Sequence, residues 1–130
     1  MAHYLDTSAL VKLVVAEAES DALHRWLAAS DRQPIACDLA RTELLRAVRR
    51  AAPDRMVAAR AVLDSMTIVT VPTTIFESAA HVDPTLLRTL DAIHLAAALD
   101  LGDELDAIVT YDDRLAHAAA ASGIVVVAPA

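Results

Sequence analysis

Tyr4-Leu5-Asp6-Thr7-Ser8-Ala9-Leu10-Val11-Lys12-Leu13 begins apolar, stops on an acid and passes at once into a helical pattern. Near the other end, Val109-Thr110-Tyr111-Asp112-Asp113-Arg114-Leu115 repeats the device. A strand that hands over directly to a helix is the unit of an alternating β/α chain, and in an open parallel sheet the carboxyl ends of the strands line one edge, where ligands bind. Asp6 and Asp112 are therefore expected to approach each other along that edge. Asp is also a good helix N-cap, because its carboxylate accepts from the free N–H groups of a first turn. The residues alone leave both roles open.

Working outward, strands are expected over 4–6, 34–37, 67–71, 107–110 and 124–127. Helices are expected over 7–16, 20–29, 39–52, 55–65, 73–82, 90–101 and 113–122, with Pro53, Pro72, Pro84, Gly102 and Gly123 as the breaks. The fold class is α/β, a parallel-stranded central sheet flanked by helices. No repeat, low-complexity linker or change of composition divides the chain, so one domain over 1–130 is expected.

With 130 residues, 56% hydrophobic and 22% charged, the sequence supports a packed core and excludes a disordered chain. Only 3% is aromatic, so Ala, Leu and Val must build that core. The lone Cys37 has no internal disulfide partner, which points to a reducing compartment. Asp6 and Lys12 interrupt the first residues, unlike a secretion signal, and no apolar run reaches the roughly 18 residues of a membrane helix. The expected location is the cytoplasm. A net charge of −7 argues against a nucleic-acid partner. That charge is uneven, however: 41–60 carries Arg41, Arg46, Arg49, Arg50, Arg55 and Arg60 against Glu43 and Asp54.

Two further acids stand out. Asp91 opens Leu90-Asp91-Ala92-Ile93-His94-Leu95-Ala96-Ala97-Ala98, a helix apolar nearly all round and so expected to be buried. A carboxylate there is either a first-turn dipole partner or a group that needs a cation or hydrogen bonds. His94 shares its face, and a satisfied core or supporting His is favoured over a metal ligand. Glu43 lies in Leu39-Ala40-Arg41-Thr42-Glu43-Leu44-Leu45-Arg46, with Arg46 and Arg50 on its face of the helix. The alternatives are a solvated salt-bridged face and an acidic site rimmed by Arg that holds phosphate or a partner.

Taken together, 4–13, Thr42-Glu43-Leu44, 90–96, 109–115 and the closing Gly123-Ile124-Val125 through Pro129 resemble the PIN-domain family, and closely its VapC-type toxins. The pieces occur in the family's order and span nearly the whole chain. The resemblance implies an α/β/α sandwich with Asp6, Glu43, Asp91 and Asp112 around one or two Mg²⁺ or Mn²⁺ ions. It also implies that Ser8 and Thr110 support the cluster, with Asp113 a neighbouring acid. Hard oxygen donors suit those ions, and one Cys with scattered His gives no zinc pattern.

The implied reaction is hydrolysis of RNA phosphodiester bonds by metal-activated water. The implied partners are an antitoxin of the VapB type docking near 39–60, with Arg46 and Arg50 as RNA or antitoxin contacts, and a second copy of the chain. Clustered carboxylates repel, so the free site is expected to hold raised carboxyl pKa values or to recruit cations. Tyr4, Trp26, Phe76 and Tyr111 offer little base stacking, which favours a structured RNA held by its backbone. Rival readings are a phosphoacceptor receiver and a non-catalytic RNA- or protein-binding module. Receivers have paired acids after the first strand and a Lys after the last, whereas Thr7 follows Asp6 here and 125–129 lacks Lys.

Overall fold

The computed structural model describes residues 2–130, so Met1 of the expected 1–130 domain lies outside the described residues. Five strands, β1 (Ala2–Leu5), β2 (Gln33–Cys37), β3 (Thr67–Val69), β4 (Leu105–Val109) and β5 (Val126–Val127), form one sheet in the order β3-β2-β1-β4-β5. Every pairing is parallel. Seven α-helices connect them among the described residues: α1 (Thr7–Val14), α2 (Ser20–Ala28), α3 (Leu39–Ala51), α4 (Met56–Asp64), α5 (Thr73–Ala79), α6 (Thr89–Asp100) and α7 (Asp113–Ala121).

Because side chains alternate along a strand, neighbouring residues enter different cores. Leu5, Ala36 and Val109 pack with Leu10, Leu23, Leu44, Val48 and Leu63 of α1 to α4. Tyr4, Cys37 and Ile108 pack with Ile75, Leu95 and Leu115 of α5 to α7. This is the expected α/β/α sandwich. Helix α6 is sunk into the second core, with every residue from Ala92 to Ala98 buried, as its all-round apolar sequence predicts.

The expected ends move by a few residues, for local reasons. The stretch expected as a helix over 55–65 begins as a single 3₁₀ turn, Pro53–Arg55, and becomes α-helical at Met56. The strand expected to reach Val71 stops at Val69, because Val71 donates its N–H to the Asp38 carboxylate instead (3.2 Å). Gly102 and Gly123, at φ +56° and +86°, take the left-handed conformation that ends α6 and α7. No helix among the described residues is long and apolar enough to cross a membrane.

The chain winds outward from β1 through β2 to β3, then returns to lay β4 on the other side of β1. Such a reversal leaves a crevice at the carboxyl ends of the two strands where it occurs, here β1 and β4. The same order distinguishes the sheet from the 2-1-3-4-5 arrangement of receivers.

Candidate active site

Asp6 and Asp112 stand at that crevice, each on the residue that turns a strand into a helix. Asp6 is only 3% exposed. Its Oδ1 caps α1 by accepting from Ala9 N–H (3.1 Å) and also accepts from Ser8 Oγ (2.6 Å), while Oδ2 accepts from Thr110 Oγ1 (2.7 Å). Asp112 caps α7, its Oδ1 accepting from the N–H groups of Arg114 (2.9 Å) and Leu115 (3.0 Å). Capping and site-building are therefore not alternatives. The caps fix one oxygen of each carboxylate, leaving Asp112 Oδ2 without a partner among the described residues and one lone-pair direction open on Asp6 Oδ2.

Ser8 and Thr110 join the two turns. Ser8 Oγ donates to Asp6 and accepts from Tyr111 N–H (2.9 Å), and Thr110 Oγ1 donates to Asp6 and accepts from Asp112 N–H (3.1 Å). Each hydroxyl has one proton and spends it on Asp6. The backbone adds Asp6 N–H to Val109 O (3.2 Å).

Asp91 comes from the first turn of α6 and is half-buried. Burial pushes its pKa up, Asp112 adds to the rise, His94 opposes it, and Asp6 and Glu43 add smaller increments. Four elements thus bring four carboxylates into one electrostatic neighbourhood. Burial raises Asp6 as well, against the bonds from Ser8, Thr110 and Ala9.

Glu43 departs from the expected pattern. Burial alone would raise it, yet its bond to His94, the charge there and the bond from Thr7 outweigh burial and hold it below the usual range. Its Oε1 lies 2.6 Å from His94 Nε2 and 2.9 Å from Thr7 Oγ1. For His94, burial disfavours the charged ring, but Cys37 and Glu43 push the pKa up to about 10. The salt-bridged Arg face is absent: Arg46 and Arg50 are exposed and bond to nothing among the described residues.

Asp91 and Asp112 line a cleft of about 390 Å³ with Arg88, Tyr111, Asp113 and Arg114. Asp113 thus borders the site, whereas Arg46 and Arg50 do not line this cleft. Arg88 and Arg114, exposed at its rim, were missed in the sequence. The signal was their spacing, three residues before Asp91 and two after Asp112. Tyr111 is the one aromatic in the lining; its hydroxyl donates to Pro129 O (2.7 Å) and Lys12 lies over its ring (4.8 Å). A larger cavity of about 1050 Å³, walled by Val82, Leu86, Leu87 and Leu99, lacks the cluster, so the site follows the acids and not the volume.

The donor set is all oxygen, with carboxylates whose mutual repulsion only a cation or proton relieves, and this fits a hard divalent ion. As they stand, no three His, Cys, Asp or Glu side chains among the described residues are placed to hold an ion together.

The family model described as the PIN domain matches residues 3–121. The chain is 44% identical over 127 residues to ribonuclease VapC46 of Mycobacterium tuberculosis, across 97% of this chain and 96% of that one. The crystal structure of VapC20 from the same organism, described as a Sarcin-Ricin loop cleaving toxin, superposes with a TM-score of 0.79 at 20% identity, over 98% of this chain and 99% of that one. VapBC2 of Rickettsia felis, bound to a DNA fragment from their promoter, matches with a TM-score of 0.70 at 13% identity over 100% of both chains. At such identities the two structural likenesses bear on the fold alone.

Proposed function

The chain belongs to the PIN-domain family, and from that premise we propose that it is a metal-dependent endoribonuclease, the toxin of a toxin–antitoxin pair, cutting RNA at Asp6, Glu43, Asp91 and Asp112. The observation that carries this reading is that Asp112, Asp6 and Glu43, from three other parts of the chain, all act on the half-buried carboxylate of Asp91 beside the crevice between β1 and β4. The ribonuclease name of the 44% identical relative supports the reaction class. The receiver reading falls with the strand order and the family.

Asp6 Oδ2, Asp112 Oδ2, Asp91 and the free oxygen of Glu43 would hold Mg²⁺, with Mn²⁺ as a substitute. A divalent ion bound there supplies a water acidified toward neutral pH and positive charge for the phosphate. The residues do the rest. Ser8 and Thr110 favour the ionised form of the Asp6 carboxylate against the effect of burial and aim it, and the two caps prevent either strand-end acid from turning away. Asp113 adds negative charge at the rim.

Arg88 and Arg114 give the cleft two guanidinium groups unpaired among the described residues, suited to flanking RNA phosphates. Replacing both with Gln is expected to raise KM several-fold with kcat little changed. It should also shallow the salt dependence of RNA binding, the slope falling by about one for each phosphate no longer neutralised, read from filter-binding titrations. Unchanged KM and slope would assign the phosphates elsewhere.

We read 1–130 as one PIN domain acting in the cytoplasm, where its RNA is. Arg46 and Arg50, free on the outer face of α3, suit contact with RNA or with a VapB-type antitoxin docked over 39–60. A second copy of the chain is a further expected partner.

The test is incubation of purified, antitoxin-free protein with total bacterial RNA in Mg²⁺, in Mn²⁺ and in EDTA. Discrete fragments that vanish in EDTA and return with metal are expected. RNA left intact by a folded protein in both metals would overturn the reading.

A further inference from the structure

We propose that His94 is a positioning residue of the cluster, holding Glu43 by one carboxylate oxygen so that the other faces the divalent ion or its water. This rests on the metal-dependent reading above. The bonds single out the two oxygens: Oε1 takes both His94 and Thr7, while Oε2 takes nothing among the described residues. A carboxylate can only accept, so His94 Nε2 must donate, whatever the state of the other nitrogen. That other nitrogen, Nδ1, is 2.7 Å from the hydroxyl of Tyr4, which is fully buried at the heart of β1.

The chain of contacts therefore runs from the central strand through the buried face of α6 to the partly exposed Glu43 on α3. Each member is more deeply buried than the next, Tyr4 at 0% exposed, His94 at 2% and Glu43 at 21%. A Glu side chain has three rotatable bonds before its carboxylate, and a ligand left to search them binds an ion weakly. A buried ring bonded at both nitrogens and a threonine hydroxyl together restrict that freedom. Outer partners of this kind, when deleted, typically lower metal affinity or activity about 10- to 100-fold.

The substitutions separate positioning from packing. In His94→Gln the amide reaches about as far as Nε2 and can still donate to Glu43. In His94→Asn it reaches only as far as Nδ1, toward Tyr4. Mn²⁺ affinity is read by calorimetry, alongside RNA cleavage and the melting temperature of the metal-free protein. His94→Asn is expected to weaken Mn²⁺ binding about 10- to 100-fold and His94→Gln only a few-fold. In a Glu43→Gln background, His94→Asn should cost nothing further, because its route to the ion is gone. Thr7→Val, a change outside the core, should weaken binding a few-fold by the same route, which keeps the test decisive if His94→Asn fails to fold.

Equal losses for Asn and Gln, or the same loss from His94→Asn with and without Glu43, would overturn the inference while leaving the nuclease reading intact. A folded wild-type protein that binds no Mn²⁺ would overturn both.

Discussion

RNA cleavage by Asp91→Asn is expected to fall on the order of 1,000-fold, about 4 kcal/mol of transition-state stabilisation, while the metal-free protein melts at a higher temperature than wild type. The two effects have one cause. Asp91 is a half-buried carboxylate pressed by burial and by three other acids. Without an ion that arrangement is unfavourable; with one it is the binding energy. Its place in the first turn of α6 gives a partial compensation from the helix dipole, which does not reverse the shift.

Discounted for its exposure to solvent, removing the charge is worth about 0.5–1 kcal/mol, or roughly 2–4 °C in Tm. The pH dependence has a definite sign. Because the folded-state pKa lies above the unfolded value, the charge destabilises the fold above that pKa, and the penalty disappears as pH falls through it. The advantage of Asn should therefore be largest at neutral and alkaline pH and vanish in acid. Calorimetric melts across pH in EDTA check this. A lower Tm for Asp91→Asn at neutral pH would show that the carboxylate is held by bonds rather than burdened by its charge.

Asp6→Ala should lose both activity and fold. The substitution removes the cap of α1 and strands the hydroxyls of Ser8 and Thr110, the latter 1% exposed. A lost cap costs about 0.5–2 kcal/mol, and a buried hydroxyl without a partner about 1–3 kcal/mol. A loss of about 2–4 kcal/mol is expected, a large fraction of the 5–15 kcal/mol typical of a domain. Asp6→Asn separates the two losses. Its Oδ1 can still accept from Ala9 and Ser8, and its amide can donate to Thr110 Oγ1 once that hydroxyl turns. Denaturant melts should place Asn within about 1 kcal/mol of wild type, with cleavage as weak as in the Ala variant. Activity retained in folded Asp6→Asn would remove Asp6 from the catalytic set.

Most of the candidate site was legible in the sequence because its acids sit at signals a one-dimensional reading can detect. Asp6 and Asp112 each end a strand and begin a helix, and topology alone brings such positions together. Asp91 was conspicuous as a charge in a helix with no polar face. The partnership of Glu43 was hidden, since His94 is 51 residues away and the near neighbours Arg46 and Arg50 offered a plausible local pairing. Burial decided between them: His94 is fixed in the core at bonding distance, whereas the two Arg side chains remain in solvent. Of the acids expected to be raised by mutual repulsion, Asp91 is raised by burial and by its acidic neighbours, Asp6 by burial, and Glu43 is held down by His94 and Thr7.

Arg88 and Arg114 were missed because neither belongs to a patterned face; their spacing from Asp91 and Asp112 gains meaning only from the cleft between α6 and α7. Strand ends were misplaced where a side chain took a backbone donor, as Asp38 does with Val71. Such competition is decided by contacts distant in sequence.

The most direct test of the carboxylate centre is anomalous diffraction from crystals of the protein soaked in Mn²⁺. The expected result is one or two peaks bounded by carboxylate oxygens of Asp6, Asp91 and Asp112, with Glu43 Oε2 facing the ion or a water on it, and no peak in Asp91→Asn. Mn²⁺ bound elsewhere, or absent from this cluster in protein that still cleaves RNA, would contradict it.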